Sequence, residues 1–178
     1  MFQRLFTLSP FLLLLVTVAS CQTTDVPKPS KSEVLTDHIF GNSGHFRGNS
    51  IGDPLDEVVS RDNEYLFKRN QSQLQYSIPF SSSDSAHFDV SYFFENNRLS
   101  EIQVEVLLNT EKETIKLFES FHSRLSERYG APTAQSSFAF WEVRDHGQVL
   151  EITLRDESAE FRRPKLSLNI IEQQRFTH

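Results

Sequence analysis

Phe88-Asp89-Val90-Ser91-Tyr92-Phe93-Phe94-Glu95-Asn96-Asn97-Arg98-Leu99-Ser100-Glu101-Ile102-Gln103-Val104-Glu105-Val106-Leu107-Leu108 is the stretch that decides the fold. Apolar and polar side chains alternate on both sides of Glu95-Asn96-Asn97-Arg98, so two strands each carry one apolar face. Phe88, Val90, Tyr92 and Phe94 form one row. Ile102, Val104, Val106 and Leu108 form the other. The turn decides whether the rows meet. A two-residue Asn-Asn loop alone would set Tyr92 against Glu101 and Val90 against Gln103, placing charge on the core face. A three-residue loop puts both apolar rows on one side, with Asn97 in the left-handed region that Asn tolerates. The sequence therefore predicts a three-residue turn.

Working outward, Leu74, Tyr76, Ile78 and Phe80 alternate with polar residues and Pro79, a strand whose end or edge holds the proline. Before it, Asp53-Pro54 predicts a helix start, with Asp53 as cap, Asp56 and Glu57 in the first turn, and Leu55, Val58 and Val59 as the apolar stripe. After the hairpin, Thr110 and Glu113 form a capping box for a long helix. Ile115, Phe118, Phe121 or His122, Leu125 and Tyr129 recur at helical spacing, and Gly130 and Pro132 end it. A second hairpin turns at His146-Gly147, pairing Val143 with Leu150 and Trp141 with Ile152. Residues Glu157 to Arg163 read as a charged loop, and Leu166, Leu168 and Ile170 as the last strand. The order is helix, strands, helix, strands. It predicts an α+β fold: an antiparallel sheet with two helices on one face, built from two helix-plus-meander units.

The N-terminus reads as an address. One positive charge, Arg4, precedes an apolar run from Leu5 to Ala19, too short to span a bilayer and fitting a signal-peptide core. It ends in Val18-Ala19-Ser20-Cys21, which resembles the lipobox of bacterial lipoproteins. That resemblance implies cleavage after Ser20 and lipid on Cys21, and two or three acyl chains give stable anchoring. Gln22, rather than Asp, implies outer-membrane sorting under the enterobacterial rule. The expected organisation is a signal peptide at 1–20, a lipidated cysteine and flexible tether at 21–37, and one domain at 38–178. The tether holds Thr23, Thr24, Pro27, Pro29, Ser30 and Ser32 and would span about 20–25 Å.

Removing residues 1–20 takes away Arg4 and leaves 17 basic and 24 acidic side chains. A net charge of that sign repels polyphosphate, and no Lys/Arg cluster alternates with aromatics, so nucleic acid is not an expected partner. Sixteen phenylalanines make the chain too apolar for disorder. A single cysteine excludes any internal disulfide.

Ile51-Gly52-Asp53-Pro54-Leu55-Asp56-Glu57-Val58 and Tyr129-Gly130-Ala131-Pro132 resemble segments of small envelope lipoproteins of the BamE/SmpA type and of β-lactamase-inhibitor-like domains. Those families use a helix-then-antiparallel-strands unit. Here the two fragments flank different helices, a departure from the single-unit pattern. The resemblance covers about thirty residues and implies a binding protein rather than an enzyme, with no functional residue transferable.

Catalytic signatures do not emerge. His38, His45, His87, His122, His146 and His178 show no metal-ligand spacing. His38 with Asp37 and His45 read as solvated loop residues, and His87 and Asp89 as polarity on one strand face. No Gly-x-Ser-x-Gly elbow or glycine-rich phosphate loop occurs. Glu101 and Glu105 lie four apart on a strand, about 13 Å, too far to share a proton. No cofactor or metal is expected.

The polar face of the central hairpin is the candidate partner surface: Phe93 and Leu107 among Glu101, Gln103 and Glu105, with Phe138 and Phe140 on the face opposite Trp141. Either this face is open, or a helix or the tether covers it. The expected function is a non-enzymatic, protein-binding lipoprotein of the cell envelope, an accessory or an inhibitor or immunity protein. It would be anchored in the outer membrane facing the periplasm. A carrier of a small apolar ligand between helices and sheet is the alternative, and a hydrolase with a dispersed site comes third.

Overall fold

The computed structural model describes residues 30–41, 43–61, 65–80, 86–145 and 147–173. The signal region, Val18, Ala19, Ser20, Cys21, His146 and His178 lie outside them. The elements run α1 (Lys31–Phe40), α2 (Leu55–Arg61), β1 (Leu66–Arg69), β2 (Gln73–Pro79), β3 (His87–Glu95), β4 (Arg98–Leu107), α3 (Glu111–Tyr129), β5 (Thr133–Gln135), β6 (Phe138–Asp145), β7 (Gln148–Asp156), α4 (Ser158–Phe161) and β8 (Lys165–Glu172). All eight strands join one antiparallel sheet in the order β1-β2-β3-β4-β8-β7-β6-β5. This is the α+β architecture predicted from the alternating rows. It consists of two helix-plus-four-strand units, α2 with β1–β4 and α3 with β5–β8, whose last strands pair with each other at the centre.

The β3–β4 hairpin solves its register differently from the expectation. The turn has two residues, Asn96 and Asn97, both at positive φ (50° and 63°), with Glu95 opposite Arg98. A bulge then follows: Phe94 faces Leu99 but Phe93 faces Glu101, leaving Ser100 as the extra residue. The bulge restores the alignment of apolar rows that a two-residue turn alone would have lost. The second hairpin has the predicted register, Val143 against Leu150 and Trp141 against Ile152.

Tyr92, Ile102, Ile170, Ile152 and Trp141 line up across five neighbouring strands, and Val90, Val104, Leu168, Leu154 and Ala139 form the next row. All ten are buried. Burying one such large apolar side chain contributes about 1.5–3 kcal/mol. Leu117, Phe121 and Leu125 of α3 pack onto these rows. The buried stripe of α3 is rotated from the predicted one: Thr114, Leu117, Phe121 and Leu125 face inward, whereas Ile115 is 53% exposed. A helix lying on a sheet and flanked by a second helix buries a wider, differently centred stripe than one row of spacing defines. Thr110 caps α3, its hydroxyl accepting from the Glu113 amide at 3.2 Å, but the expected box is only half formed: the Glu113 carboxylate accepts from the Thr110 hydroxyl at 3.3 Å instead of from its amide. Gly130 ends it at φ +85°, and its carbonyl accepts from Trp141 Nε1 at 2.9 Å.

Three further readings are corrected. Residues 31–37, assigned to a flexible tether, belong to α1. Ser30 and Glu33 form a full capping box, Thr36, Ile39 and Phe40 are buried, and Gly41 terminates the helix. Phe40 meets Phe121 edge-on at 4.8 Å, and Thr36 Oγ1 donates to Ser120 Oγ at 2.8 Å. The folded domain therefore begins by Ser30 rather than His38. The short α2 starts at Leu55, and Asp53 does not cap it. The Asp53 carboxylate instead accepts from the Ser50 amide at 2.9 Å and from Arg61. Within the expected charged loop, Ser158–Phe161 forms a single helical turn.

Candidate functional site

With α1, α2 and α3 contributing to the core on one side of the sheet, the other side is uncovered among the described residues apart from the start of β8, where Phe161 of α4 lies against the Lys165 ammonium. The outward-pointing side chains of β2, β3, β4, β6, β7 and β8 are exposed or half-buried throughout, except Val149 and Lys165. All seven side chains of the candidate surface lie on this face, because strand parity opposes them to the buried rows.

The structure does not gather them into one patch. Phe93 sits beside Glu101, with Ile171 on the far side of that carboxylate. Leu107 stands opposite His87 at one end of β4. Phe138 and Phe140 lie on β6, three strands away from β4, where Phe138 is capped by the Arg155 guanidinium 5.1 Å from its ring centroid. Gln103 donates to Glu101 at 2.7 Å. The face is thus a polar field with three apolar islands. Ile171, Thr153 and Arg155 belong to it and escaped the sequence reading, because single-strand parity does not say which strands become neighbours.

Charge is unevenly placed. Glu142 and Glu151 are direct cross-strand partners, an arrangement that like charges disfavour. Glu105 is met by Lys165, whose Nζ lies 2.7 Å from Glu105 Oε1 and 3.1 Å from Glu157 Oε2. Burial by itself would lower the Lys165 pKa. Hydrogen bonds that the ammonium donates to both carboxylates, together with their charge, outweigh it and leave the pKa above the ordinary 10.5. His87 and Asp89 share this face as expected, 3.7 Å apart. Two acceptor oxygens here, Asp89 Oδ1 and Asn169 Oδ1, find no donor among the described residues.

The histidines do structural work. His45, read as a solvated loop residue, is buried. Its Nδ1 accepts from the Ile51 amide at 2.9 Å, so Nε2 carries the proton donated to Asp145 Oδ2 at 2.8 Å. Both ring nitrogens are occupied, which fastens the loop before α2 to the end of β6 and leaves no lone pair for catalysis or metal. Asp145 stands 100 positions away, and no local signal announces that pair. His38 is exposed, with its ring edge-on to Phe88 at 6.1 Å. His122 lies between Phe118 and Trp141. Among the described residues no three His, Cys, Asp or Glu side chains converge as metal ligands. No family model, curated protein or solved structure matches the chain.

Proposed function

We propose that this protein is a lipid-anchored component of the bacterial cell envelope, facing the periplasm from the outer membrane, whose open sheet face binds another protein without catalysing a reaction. The observation that carries the reading is the uncovered face bearing Phe93, Phe138, Phe140 and Ile171 on a polar ground. Eight strands at about 4.8 Å spacing and about seven residues of length give roughly 700–800 Å². That is close to the ~800 Å² each partner contributes to a standard stable interface. Aromatic islands ringed by polar groups are the usual composition of such surfaces. The lipobox-like Val18 to Cys21 and the resemblance of two fragments to envelope binding proteins support the same reading.

The test is affinity capture after in-cell crosslinking, comparing the native sequence with Phe93→Glu combined with Phe138→Glu. Both side chains lie outside the core, so circular dichroism should be unchanged. Loss of specific partners is expected. A captured set identical to that of the native protein would refute the sheet-face reading.

The alternative, a carrier of a small apolar ligand, has one observation in its favour. A cavity of about 200 Å³ lies between the starts of α1 and α3 and the sheet, lined by Leu35, Phe80, Ala86, Leu108 and Leu117. It falls below the ~300 Å³ at which ligand pockets usually begin. Organic extraction of folded protein followed by mass spectrometry decides the matter, since a stoichiometric lipid would favour the carrier.

A further inference from the structure

The chain enters the domain at one end of the molecule. Ser30 caps α1 there, and α1 runs beside α3 in the same direction. Lys31 Nζ lies 3.2 Å from Glu113 near the start of both helices, and Thr36 meets Ser120 further along. Leu108, just before the α3 cap, donates its amide to the Pro164 carbonyl at 3.1 Å. The starts of α1 and α3 and the α4–β8 turn therefore share one end. The β1–β2 turn, with Gln71, lies at the other end, about 30 Å away along the nine residues of β3.

The first end carries a group of exposed cations on an otherwise acidic chain. Lys112, Lys116, Arg162 and Arg163 are exposed and have no acidic partner among the described residues. Phe161, beside the arginines, is 46% exposed. Of the nearby acids, Glu33 is bound into the α1 cap, Glu113 pairs with Lys31, and Glu105 and Glu157 share Lys165, which leaves Glu111, Asp156 and Glu160 without a cation among the described residues. Eight residues separate Cys21 from Ser30. Fully extended they reach about 30 Å, and a flexible chain of that length averages about 16 Å.

We propose that this end, led by Phe161, Arg162 and Arg163 with Lys112 and Lys116, rests on the anionic phospholipid headgroups of the membrane that holds Cys21. The inference relies on the reading of Cys21 as lipidated. The anchor keeps the local concentration high, so weak attraction per cation suffices to orient the domain. An exposed aromatic next to arginines suits the headgroup zone. The strands then stand away from the bilayer, and the open sheet face looks sideways, clear of lipid and accessible to a partner.

The full-length lipidated protein tests this in vesicles of phosphatidylcholine and phosphatidylglycerol that contain nitroxide-headgroup lipid. Acylation occupies the Cys21 thiol, so Lys112→Cys or Gln71→Cys gives one labelling site for a fluorophore. A dye at 112 should lose most of its emission and a dye at 71 should keep it. Arg162→Gln with Arg163→Gln should restore emission at 112. Equal quenching at the two sites, quenching at neither, or no effect of the arginine replacements overturns the orientation while leaving the anchor intact. Intact mass separates the premises: a mature chain without acyl groups overturns anchor and orientation together.

Discussion

Lys165→Met isolates one buried charge whose worth can be worked out from its surroundings. The lysine side chain is 6% exposed, clamped between Glu105 and Glu157, with its ammonium 4.1 Å over the Phe161 ring. Methionine keeps the aliphatic stem and removes the ammonium. Two charge-assisted hydrogen bonds vanish, and two carboxylates lose their partner. Glu105 is 50% exposed and can rehydrate, whereas Glu157 is 18% exposed and cannot do so fully. Breaking a fully buried pair costs about 3–5 kcal/mol, so the half-exposed case should cost about 2–3 kcal/mol. At about 2–4 °C per kcal/mol for a domain of this size, the Tm should fall by roughly 5–10 °C. Adding Glu157→Gln should recover part of the loss, because the stranded carboxylate disappears. The pH profile has a definite sign. The folded-state pKa of Lys165 is raised, so its stabilisation is present below the unfolded value of 10.5 and is lost as pH rises through the folded value. Tyr129, raised by burial, adds loss of the same sign, so the comparison with Lys165→Met is the informative one. Urea titrations across pH 8–12 measure both effects. A single variant within about 0.5 kcal/mol of the native protein, or a double variant less stable than the single, would refute the account.

Phe121→Ala should cost about 3–5 kcal/mol in urea unfolding, since the ring is fully buried and packs edge-on against Phe40. Deletion of Ser100 should be tolerated at about 1 kcal/mol, the scale of its lost hydroxyl bond to the Phe93 carbonyl. Removing the bulge residue leaves Phe93 opposite Glu101, whereas deletion of Gln103 should prevent folding by misaligning the rows; thermal melts compare the two. Glu33 has a carboxyl held below 4.5, first by the Ser30 amide and then by its hydroxyl. Its support for α1 is therefore present above that value and lost as pH falls through the folded-state pKa. Protection of the Lys31–Phe40 amides, taken relative to their intrinsic exchange rates at each pH, should fall on acidification in the native protein, and Glu33→Gln should abolish that response.

The strands were legible because period-2 alternation survives in Leu74–Phe80, Phe88–Phe94 and Ile102–Val106, where only one face is buried. The His146-Gly147 register was legible because glycine there permits a two-residue turn. The Ser100 bulge was not, since an extra residue inside a strand leaves the same pattern as an extra residue in the turn. Helix α1 was obscured by composition: Ser30, Ser32 and Thr36 look like linker residues, yet one caps and one hydrogen-bonds to α3. The candidate face was legible strand by strand. Its layout depended on β4 pairing with β8, a contact between Val104 and Leu168 that spans 64 positions and has no local signature.

That central pairing has a temporal side. The sheet's middle is closed by its last strand to be made, so β4 stays an unpaired edge until β8 arrives. Contacts of such long sequence separation slow folding, because loop closure must precede the reward of pairing. Helix α1 in turn docks on α3, which packs against β6, β7 and β8. If the chain is delivered amino end first and Cys21 is lipidated as proposed, that residue would meet its modifying enzymes while everything behind it was still open. Attachment would then precede folding, and the domain would assemble already bound to its membrane.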